Sequence, residues 1–248
     1  MIVVTGGAGF IGSALIHGLN NRGVKEIWIV DQVDHPEKQK NLNPLIFDKL
    51  VDKDVFLNYV LEKKLPNCDA IFHMGACSST TETNESFLNE NNYEYTRHLA
   101  SFCLEKGVRF IYASSAATYG AGENGYYDNE SKLKLLQPLN LYGHSKHKFD
   151  LWAQGQGALK KIVGLKYFNV YGPNEYHKQE MQSMVRKGFL QVRDTGKLRL
   201  FKSYKPEYAD GDQERDFLYI KDAVSMTLYF LDRPNLGGIF NVGSGKAR

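Results

Sequence analysis

A glycine cluster near the first residue constrains the fold of this chain more than any other feature. The β-prone run 2–5 leads directly into Gly-Gly-Ala-Gly-Phe-Ile-Gly at 6–12, and apolar residues then recur at helical intervals up to Leu19. This order predicts a strand, a tight turn and a helix. The glycines fit both G-x-x-G-x-x-G and G-x-G-x-x-G, so a pyrophosphate can approach the bare backbone and face the start of the helix.

A second β-prone run, 27–30, ends at Asp31, where an acid can hydrogen-bond the adenosine ribose of a dinucleotide. This context favours dinucleotide binding over a glycine-rich structural turn. Asp31 suits the ribose diol of NAD and repels the additional phosphate of NADP, whereas Lys38 and Lys53 could attract that phosphate. Taken alone, the two lysines are interpreted as solvated surface charges, and both cofactors stay open.

Charge and cysteine content exclude several classes of function. The 248 residues carry a net charge of +3 with 24% charged residues, which is no signature of a nucleic-acid partner. The three cysteines are odd in number and lack C-x-x-C spacing, so we expect reduced thiols. We expect neither a leader sequence nor a segment that spans a bilayer, because no charged and apolar regions precede the first predicted strand and no apolar run is long enough. We therefore expect a cytoplasmic protein without a membrane partner.

Small residues follow the short apolar run 69–74. Ligands of open parallel sheets bind at the carboxyl ends of strands, so these residues could contact a dinucleotide, although an ordinary strand-to-helix loop is the alternative. The residues concerned are Met74, Gly75, Ala76, Cys77 and Ser78. The following segment, 87–106, is predicted to be one long helix. Its expected buried face comprises Tyr95, Leu99, Phe102 and Cys103.

The chemical centre of the sequence is the pair Tyr142 and Lys146, which lie four residues apart and hence on one helix face. A phenol has a pKa near 10, and a nearby ammonium would favour its ionised form. Tyr142 could then take a proton from a substrate alcohol while a hydride passes to a nicotinamide. Ser115, at the end of the strand predicted within 109–119, would hydrogen-bond the same oxygen. A surface pair is the alternative, and the glycine turn favours catalysis.

The segment 174–208 is locally basic, which suits an anionic small substrate, although a solvated helix face is expected for at least half of its cations. Its cations are Lys178, Arg186, Lys187, Arg193, Lys197, Arg199, Lys202 and Lys205. Strand patterns at 215–220 and 238–245 flank a predicted helix at 221–231. A strand that ends in Gly-Ser-Gly normally feeds a further element, so we expect the C-terminal part to be incomplete.

Two other constellations are set aside. His144 and His147 are three residues apart, but no carboxylate or thiol cluster accompanies them, so we interpret both as surface residues and predict no metal site. The serines lack a G-x-S-x-G elbow, which disfavours a hydrolase triad.

Five motifs together resemble the extended short-chain dehydrogenases and reductases that modify nucleotide sugars. They lie at 5–12, 114–120, 142–146, 215–217 and 241–245. The resemblance covers essentially the whole chain and implies an α/β fold, a Rossmann-type doubly wound parallel sheet with a smaller, discontinuous substrate-binding lobe. It implies an NADP-binding domain over 1–168, a substrate-binding segment over 169–215, and over 216–248 a return to the first domain and the start of the C-terminal lobe.

Within that family the chain is most similar to the ADP-heptose 6-epimerases of bacterial lipopolysaccharide core synthesis. The supporting stretches are 75–82, 91–93, 112–120, 167–173 and 177–178. The resemblance implies an isomerase that oxidises C6 of the heptose transiently with bound NADP and returns the hydride to the opposite face. It tips the choice of cofactor to NADP, with NAD possible, and implies a homo-oligomer.

The resemblance also implies roles for individual residues. Tyr142 and Lys178 would be bases on the two sides of the carbon, Ser115 would orient the oxygen, and Lys146 would hold the ribose and lower the Tyr142 pKa. The implied cofactor contacts are Gly6, Gly9, Phe10, Ile11, Gly12, Asp31, Gln32, Lys38, Lys53, Met74, Gly75, Ala76, Cys77, Ser78, Asn91, Lys146, Val170 and Lys178. The implied substrate contacts are Ser115, Asn169, Glu180, Lys187, Phe201, Lys202, Ser203, Tyr204 and Arg215.

Several positions depart from the pattern of the heptose epimerases. Met74 stands where Glu is expected, and Asn174, Glu180 and Lys187 replace Arg, Ser and His around the second base, so the nucleotide sugar could differ.

Two alternatives stay open. One is another nucleotide-sugar epimerase or a dehydratase with the same Tyr142 and Lys146, although Ala116 and Ala117 stand where a dehydratase would usually need an acid. The other is a non-catalytic protein that senses NADP.

Overall fold

The computed structural model describes residues 1–204, 206 and 209–248. Lys205 of the basic segment lies outside the described residues, as do positions 207 and 208. The strands are β1 (Ile2–Thr5), β2 (Ile27–Val30), β3 (Lys49–Val51), β4 (Ala70–His73), β5 (Arg109–Ser115), β6 (Val163–Tyr167), β7 (Asn169–Tyr171), β8 (Phe217–Tyr219) and β9 (Gly238–Val242).

Seven strands form one parallel sheet in the order β3-β2-β1-β4-β5-β6-β9. The strand order reverses between β1 and β4, which opens a crevice at the carboxyl ends of the strands. β7 and β8 pair in parallel as a separate two-stranded sheet. The predicted α/β class with a Rossmann-type doubly wound parallel sheet is confirmed. The division into 1–168, 169–215 and 216–248 stays a prediction.

Helices cover both faces of the main sheet. They are α1 (Phe10–Asn21), α2 (Pro36–Leu42), α3 (Lys53–Leu61), α4 (Glu85–Leu88), α5 (Tyr95–Lys106), α6 (Leu141–Gly155), α7 (Met184–Thr195) and α8 (Ile220–Tyr229). Short 3₁₀ segments span Ala116–Tyr119, Glu130–Leu135, Ala158–Lys160 and Tyr176–Met181. Among the described residues, no helix is both long and apolar enough to cross a bilayer.

The core consists of two clusters, one on each face of the sheet, because successive strand residues point to opposite sides. Val4 packs in the cluster that contains Leu15 of α1. Val3 packs in the cluster that contains Phe56 of α3 and Leu99 of α5. Strands buried on both faces read as continuous apolar runs, which is why the β-prone segments were recognisable in the sequence.

The prediction of a single helix over 87–106 is wrong in one respect. Between α4 and α5 the chain forms a π-helical segment, Asn89–Glu94. Within it Asn92 is completely buried, and its amide contacts the backbone of Cys77 and the hydroxyl of Ser145. Such π turns are frequent at functional sites, and the apolar spacing gives no sign of one. The predicted buried face of this helix is correct, since Tyr95, Leu99, Phe102 and Cys103 are buried.

Candidate active site

One cleft of about 2330 Å³ opens at the carboxyl ends of the central strands. Every residue predicted to contact cofactor or substrate, or to act in the chemistry, lines this cleft. The structure therefore brings together residues from β1, β2, β4, β5, α6 and the 169–215 segment. Placement in one cleft is consistent with the predicted roles, which stay predictions for the individual residues.

The glycine turn forms the floor of the cleft at the N-terminus of α1. Gly6 has a φ of +67°, and a Cβ there would lie 2.6 Å from the Gly75 Cα. A Cβ on Gly12 would lie 2.1 Å from the Gly6 carbonyl oxygen. The first turn of α1 has no acidic residue. The turn thus offers bare backbone and a helix N-terminus whose own first turn carries no carboxylate, which fits the pyrophosphate of a dinucleotide.

Asp31 lies beside this turn with a side chain that is only 9% exposed. Its carboxylate accepts the Ala8 N–H at 2.9 Å and contacts the Lys38 ammonium at 3.3 Å. Burial raises the pKa of Asp31, and Lys38 opposes that rise. Lys38 also donates to the Gln32 carbonyl at 2.8 Å and pairs with Asp34 at 3.0 Å.

The sequence interpretation of Lys38 and Lys53 as solvated surface charges is wrong. The Lys38 side chain is 20% exposed and the Lys53 side chain 29% exposed, and both line the cleft. Lys53 donates to the Asn91 side-chain oxygen at 2.7 Å. The π segment places Asn91 toward the cleft, a position that helical spacing would not have assigned.

Helix α6 presents Tyr142 to the cleft from its first turn. The Asn140 side chain accepts the Gly143 N–H at 2.8 Å and so caps the helix. Ser145, which receives a hydrogen bond from Asn92, donates to the Tyr142 carbonyl at 2.7 Å. The backbone of the helical turn that carries Tyr142 is therefore fixed from two sides, by its own cap and by the π segment.

The Ser115 hydroxyl favours the ionised form of the Tyr142 phenol and so lowers the Tyr142 pKa. Burial has the larger effect and raises the pKa above its ordinary value of 10. Lys146 is not among the groups that shift the Tyr142 pKa, and its ammonium donates to the Ala113 carbonyl at 2.8 Å, so its effect on Tyr142 stays a prediction. Within the protein itself, Ser115 is the group that favours the phenolate.

Lys146 is 4% exposed. Burial lowers its pKa to about 8, because an ammonium without water is disfavoured, and Asp150, one helical turn further along α6, opposes this effect.

Asp150 and Lys166 form a buried polar cluster that the sequence analysis missed. The Asp150 carboxylate accepts hydrogen bonds from Tyr112 and Ser114 of β5 as well as from Lys166 of β6. The cluster joins α6 to the strand whose last residue is Ser115. Lys166 lies within an apolar strand, and a buried ammonium needs a counter-ion. This was the feature of the sequence that could have indicated the cluster.

The second predicted base, Lys178, enters the cleft from the 3₁₀ segment Tyr176–Met181. Its ammonium lies 5.3 Å from the centre of the Phe10 ring, above the start of α1. Burial lowers the pKa of Lys178, and Glu175 opposes that effect.

Most of the predicted substrate contacts are exposed residues of the cleft lining. Glu180 is almost fully exposed and pairs with Lys187 at 3.3 Å, so its charge is partly compensated by a neighbouring cation. Phe201 and Tyr204 are exposed by 59% and 94%. The backbone of Arg215 exchanges two hydrogen bonds of 3.0 Å with that of Arg248, which fixes this residue at the edge of the cleft.

The histidines of α6 behave differently from each other. His144 is exposed, as predicted. The prediction of a surface position for His147 is wrong, because that face of α6 packs on the sheet and leaves the residue only 7% exposed.

His73 is a second group that the sequence analysis missed. It is 1% exposed at the end of β4 and lies between the hydroxyls of Thr5 and Thr96, at 2.6 and 2.8 Å. Burial lowers the pKa of His73 to about 3. Its place at the end of an apolar strand was the only signal in the sequence.

The fold and the cleft define an enzyme of the Rossmann type that binds a nicotinamide dinucleotide. The chain belongs to the NAD dependent epimerase/dehydratase family, whose model matches residues 2–243.

Among curated proteins, the chain is 51% identical over 249 residues to ADP-L-glycero-D-manno-heptose-6-epimerase of Nitratidesulfovibrio vulgaris, with 100% of this chain and 77% of that protein covered. Among solved structures, it is similar to the enzyme of the same name from Helicobacter pylori, with 30% identity, a TM-score of 0.83 and coverage of 100% and 77%. It also resembles MoeE5 in complex with UDP-glucose and NAD, with 27% identity, a TM-score of 0.75 and the same coverage. The predicted family, the epimerase class and a nicotinamide cofactor are confirmed.

Proposed function

We propose that this chain inverts C6 of the heptose in ADP-D-glycero-D-manno-heptose, for lipopolysaccharide core synthesis. The observation that carries the proposal is that Ser115, Tyr142 and Lys178 line the same cleft as the glycine turn. The names of the heptose epimerases that match the whole chain support the same substrate.

A nicotinamide dinucleotide supplies hydride transfer to and from a carbon when it is bound. The protein side chains must then move protons on both faces of that carbon. Ser115 would hydrogen-bond the substrate oxygen, and Tyr142 would accept or return its proton. Lys178, on a different element from Tyr142, would serve as the second base. Lys146 would hold the ribose.

We propose NADP as the physiological cofactor. Lys38 and Lys53 place two partly buried ammonium groups along the cleft near Asp31. The contact with Lys38 reduces the repulsion that the Asp31 carboxylate would exert on the additional phosphate of NADP. NAD would lack that phosphate and gain less from the two cations.

The anionic substrate would be held by groups of the cleft lining. Asn169 is the first residue of β7 and supplies an amide to the cleft. Lys187 and Arg215 supply positive charge for a diphosphate. Residues 201–204 would pack along the nucleotide, since they combine two aromatic side chains with Lys202 and Ser203.

The division into 1–168, 169–215 and 216–248, a cytoplasmic location and a homo-oligomeric state are further parts of the proposal. The three free cysteines suit a reducing compartment. Light scattering of the purified protein would test the oligomeric state.

The decisive experiment incubates the protein with NADP and ADP-D-glycero-D-manno-heptose and resolves the two C6 epimers by NMR. We expect conversion to an equilibrium mixture of both epimers. A panel of UDP- and dTDP-hexoses provides the comparison. An unchanged heptose together with an inverted hexose would replace the proposed substrate by a hexose, and dinucleotide binding without any turnover would favour the sensing alternative.

A further inference from the structure

The loop that carries Lys178 is closed by a buried carboxylate. Glu175 is 1% exposed, although it lies in a connection between β7 and α7. It accepts the Gly172 N–H at 3.2 Å, the Ser183 N–H at 2.6 Å and the Ser183 O–H at 2.8 Å. These donors lie before and after Lys178 in the chain. One carboxylate therefore ties together both ends of the loop.

The backbone within this loop is strained directly after Lys178. Gln179 has a φ of +45° and a ψ of −118°, a region that residues with a Cβ rarely adopt. Such a conformation costs about 1–3 kcal/mol and persists only where surrounding contacts enforce it. The three hydrogen bonds of Glu175 are contacts of that kind. The Gln182 N–H bond to the Gln179 carbonyl, at 3.1 Å, adds a further restraint.

The three donors of Glu175 are uncharged, so its negative charge acts on the cations around it. Lys178 lies three residues away, and its backbone N–H donates to the Glu175 carbonyl at 3.1 Å. Burial lowers the pKa of Lys178 and Glu175 raises it. Removal of the carboxylate charge would therefore leave burial unopposed.

Other charged groups also face this loop. His177 precedes Lys178, and burial lowers its pKa to about 4, with Lys38, His35 and Asp34 of the facing segment as further influences. Arg186 of α7 lies 4.5 Å above the Tyr176 ring. Glu180 is exposed and paired with Lys187. Replacement of Glu175 alone leaves the chemical identity of all these groups unchanged.

We propose that Glu175 is a positioning residue, whose carboxylate holds the loop 172–183 closed and fixes the charged end of Lys178 over the start of α1. The role of Lys178 as second base rests on the proposed function, whereas the link between Glu175 and Lys178 rests on the contacts of the loop.

The test measures the pH at which Lys178 reacts with an amine reagent. The full-length protein is labelled with trace acetic anhydride across a pH series, and modification of the Lys178 peptide is quantified by mass spectrometry. We expect Glu175→Gln to lower the midpoint by about one pH unit. Glu180→Gln removes a nearby but exposed charge and should leave the midpoint at the wild-type value. An unchanged or raised midpoint in Glu175→Gln, or an equal fall in both variants, would overturn the proposal.

A second variant tests the closure of the loop without a change of charge. Ser183→Ala keeps the carboxylate and removes one of its donors, together with the acceptor of the Arg186 N–H at the start of α7. We expect faster amide hydrogen exchange over 172–183 and a Lys178 midpoint equal to that of the wild type. Unchanged exchange would contradict the anchoring role, even if Glu175→Gln failed to fold.

These readouts need no substrate and no turnover. A lowered Lys178 midpoint in Glu175→Gln, together with a wild-type protein that does not epimerise ADP-heptose, would contradict the proposed function and leave the role of Glu175 intact. An unaltered Lys178 midpoint in Glu175→Gln, together with a wild-type protein that epimerises ADP-heptose, would contradict the role of Glu175 and leave the proposed function intact.

Discussion

Asp150 and Lys166 form an ion pair of 2.9 Å between two side chains that expose no surface. The Lys166 ammonium also donates to the Thr118 hydroxyl at 2.5 Å and lies 5.0 Å from the centre of the Tyr119 ring. Burial of two charges is costly, and their attraction offsets that cost only when the remaining donors and acceptors are satisfied. Here they are satisfied by strand, helix and 3₁₀ residues that adjoin Ser115.

We expect Asp150→Asn to destabilise the protein by about 3–5 kcal/mol, because Lys166 would remain buried without its counter-ion. The double variant Asp150→Asn with Lys166→Met removes both charges and should regain part of that loss. Urea unfolding of the wild type, both single variants and the double variant measures the coupling. If the double variant lost the sum of the two single losses in free energy of unfolding, the interaction between Asp150 and Lys166 would contribute nothing to stability.

The order of elements was predictable because it depends on local patterns. β1, the glycine turn, α1 and β2 follow from apolar runs and from glycines that only a tight turn explains. The π segment was not predictable, because the buried amide of Asn92 is satisfied by Cys77 and Ser145, which are distant in sequence. Helical spacing contains no information about such partners.

The residues of the candidate site were predictable from motifs, whereas their electrostatics were not. The motifs identified Tyr142, Lys146 and Ser115, and all three residues line one cleft. The direction of the Tyr142 pKa shift depends on burial, and the position of the Lys146 ammonium depends on the Ala113 carbonyl of a neighbouring strand. Neither can be inferred from residues four apart on a helix.

Tyr142→Phe should lower kcat for C6 epimerisation by about 10²–10⁴-fold, since a positioned acid or base contributes that much. The cleft keeps its shape, so cofactor affinity should not change. Stopped assays resolved by NMR, with cofactor titration by fluorescence, measure both quantities. Tyr229→Phe on the exposed side of α8 is the matched control. Normal turnover by Tyr142→Phe would remove the phenol from the mechanism.

Lys38→Met should weaken NADP binding more than NAD binding, with a change in the ratio of dissociation constants of about tenfold, or about 1.4 kcal/mol. The reason is that only NADP has an additional phosphate for the lost ammonium to attract. Lys40→Met, which removes an exposed lysine from the same helix, is the control. Equal losses of affinity for both dinucleotides would argue against a role of Lys38 in the choice of cofactor.

Gly12→Ala should abolish dinucleotide binding. Its new Cβ would lie 2.1 Å from the Gly6 carbonyl oxygen, so the turn would have to move away from the start of α1. Gly155→Ala, where a Cβ meets no atom within 4 Å, should bind the cofactor normally. Isothermal titration with NADP compares the two variants. Retained binding in Gly12→Ala would show that the glycine turn is not the pyrophosphate site.

His73 should make the protein sensitive to acid, and its hydrogen bonds explain why. The Thr96 hydroxyl donates to the Asn92 carbonyl at 2.6 Å, so its oxygen accepts from the His73 Nε2–H. The His73 Nδ1 then accepts from the Thr5 hydroxyl, which itself accepts the Gly75 N–H. A proton on Nδ1 would break this order, in agreement with a pKa lowered to about 3.

The sign of the pH dependence follows from linkage. Between pH 6.5 and 3 the unfolded chain binds a proton at His73 that the folded protein does not bind, so stability falls as the pH falls. The contribution of this group is about 1.4 kcal/mol per pH unit over that window. The variant His73→Gln lacks that contribution. The gap in free energy of unfolding between the wild type and His73→Gln should therefore narrow as the pH is lowered. Urea unfolding at pH 7, 6, 5 and 4 measures the gap, with His144→Gln as the control for loss of one imidazole from the unfolded chain. A gap between wild type and His73→Gln that is independent of pH would mean that His73 can be protonated in the folded protein.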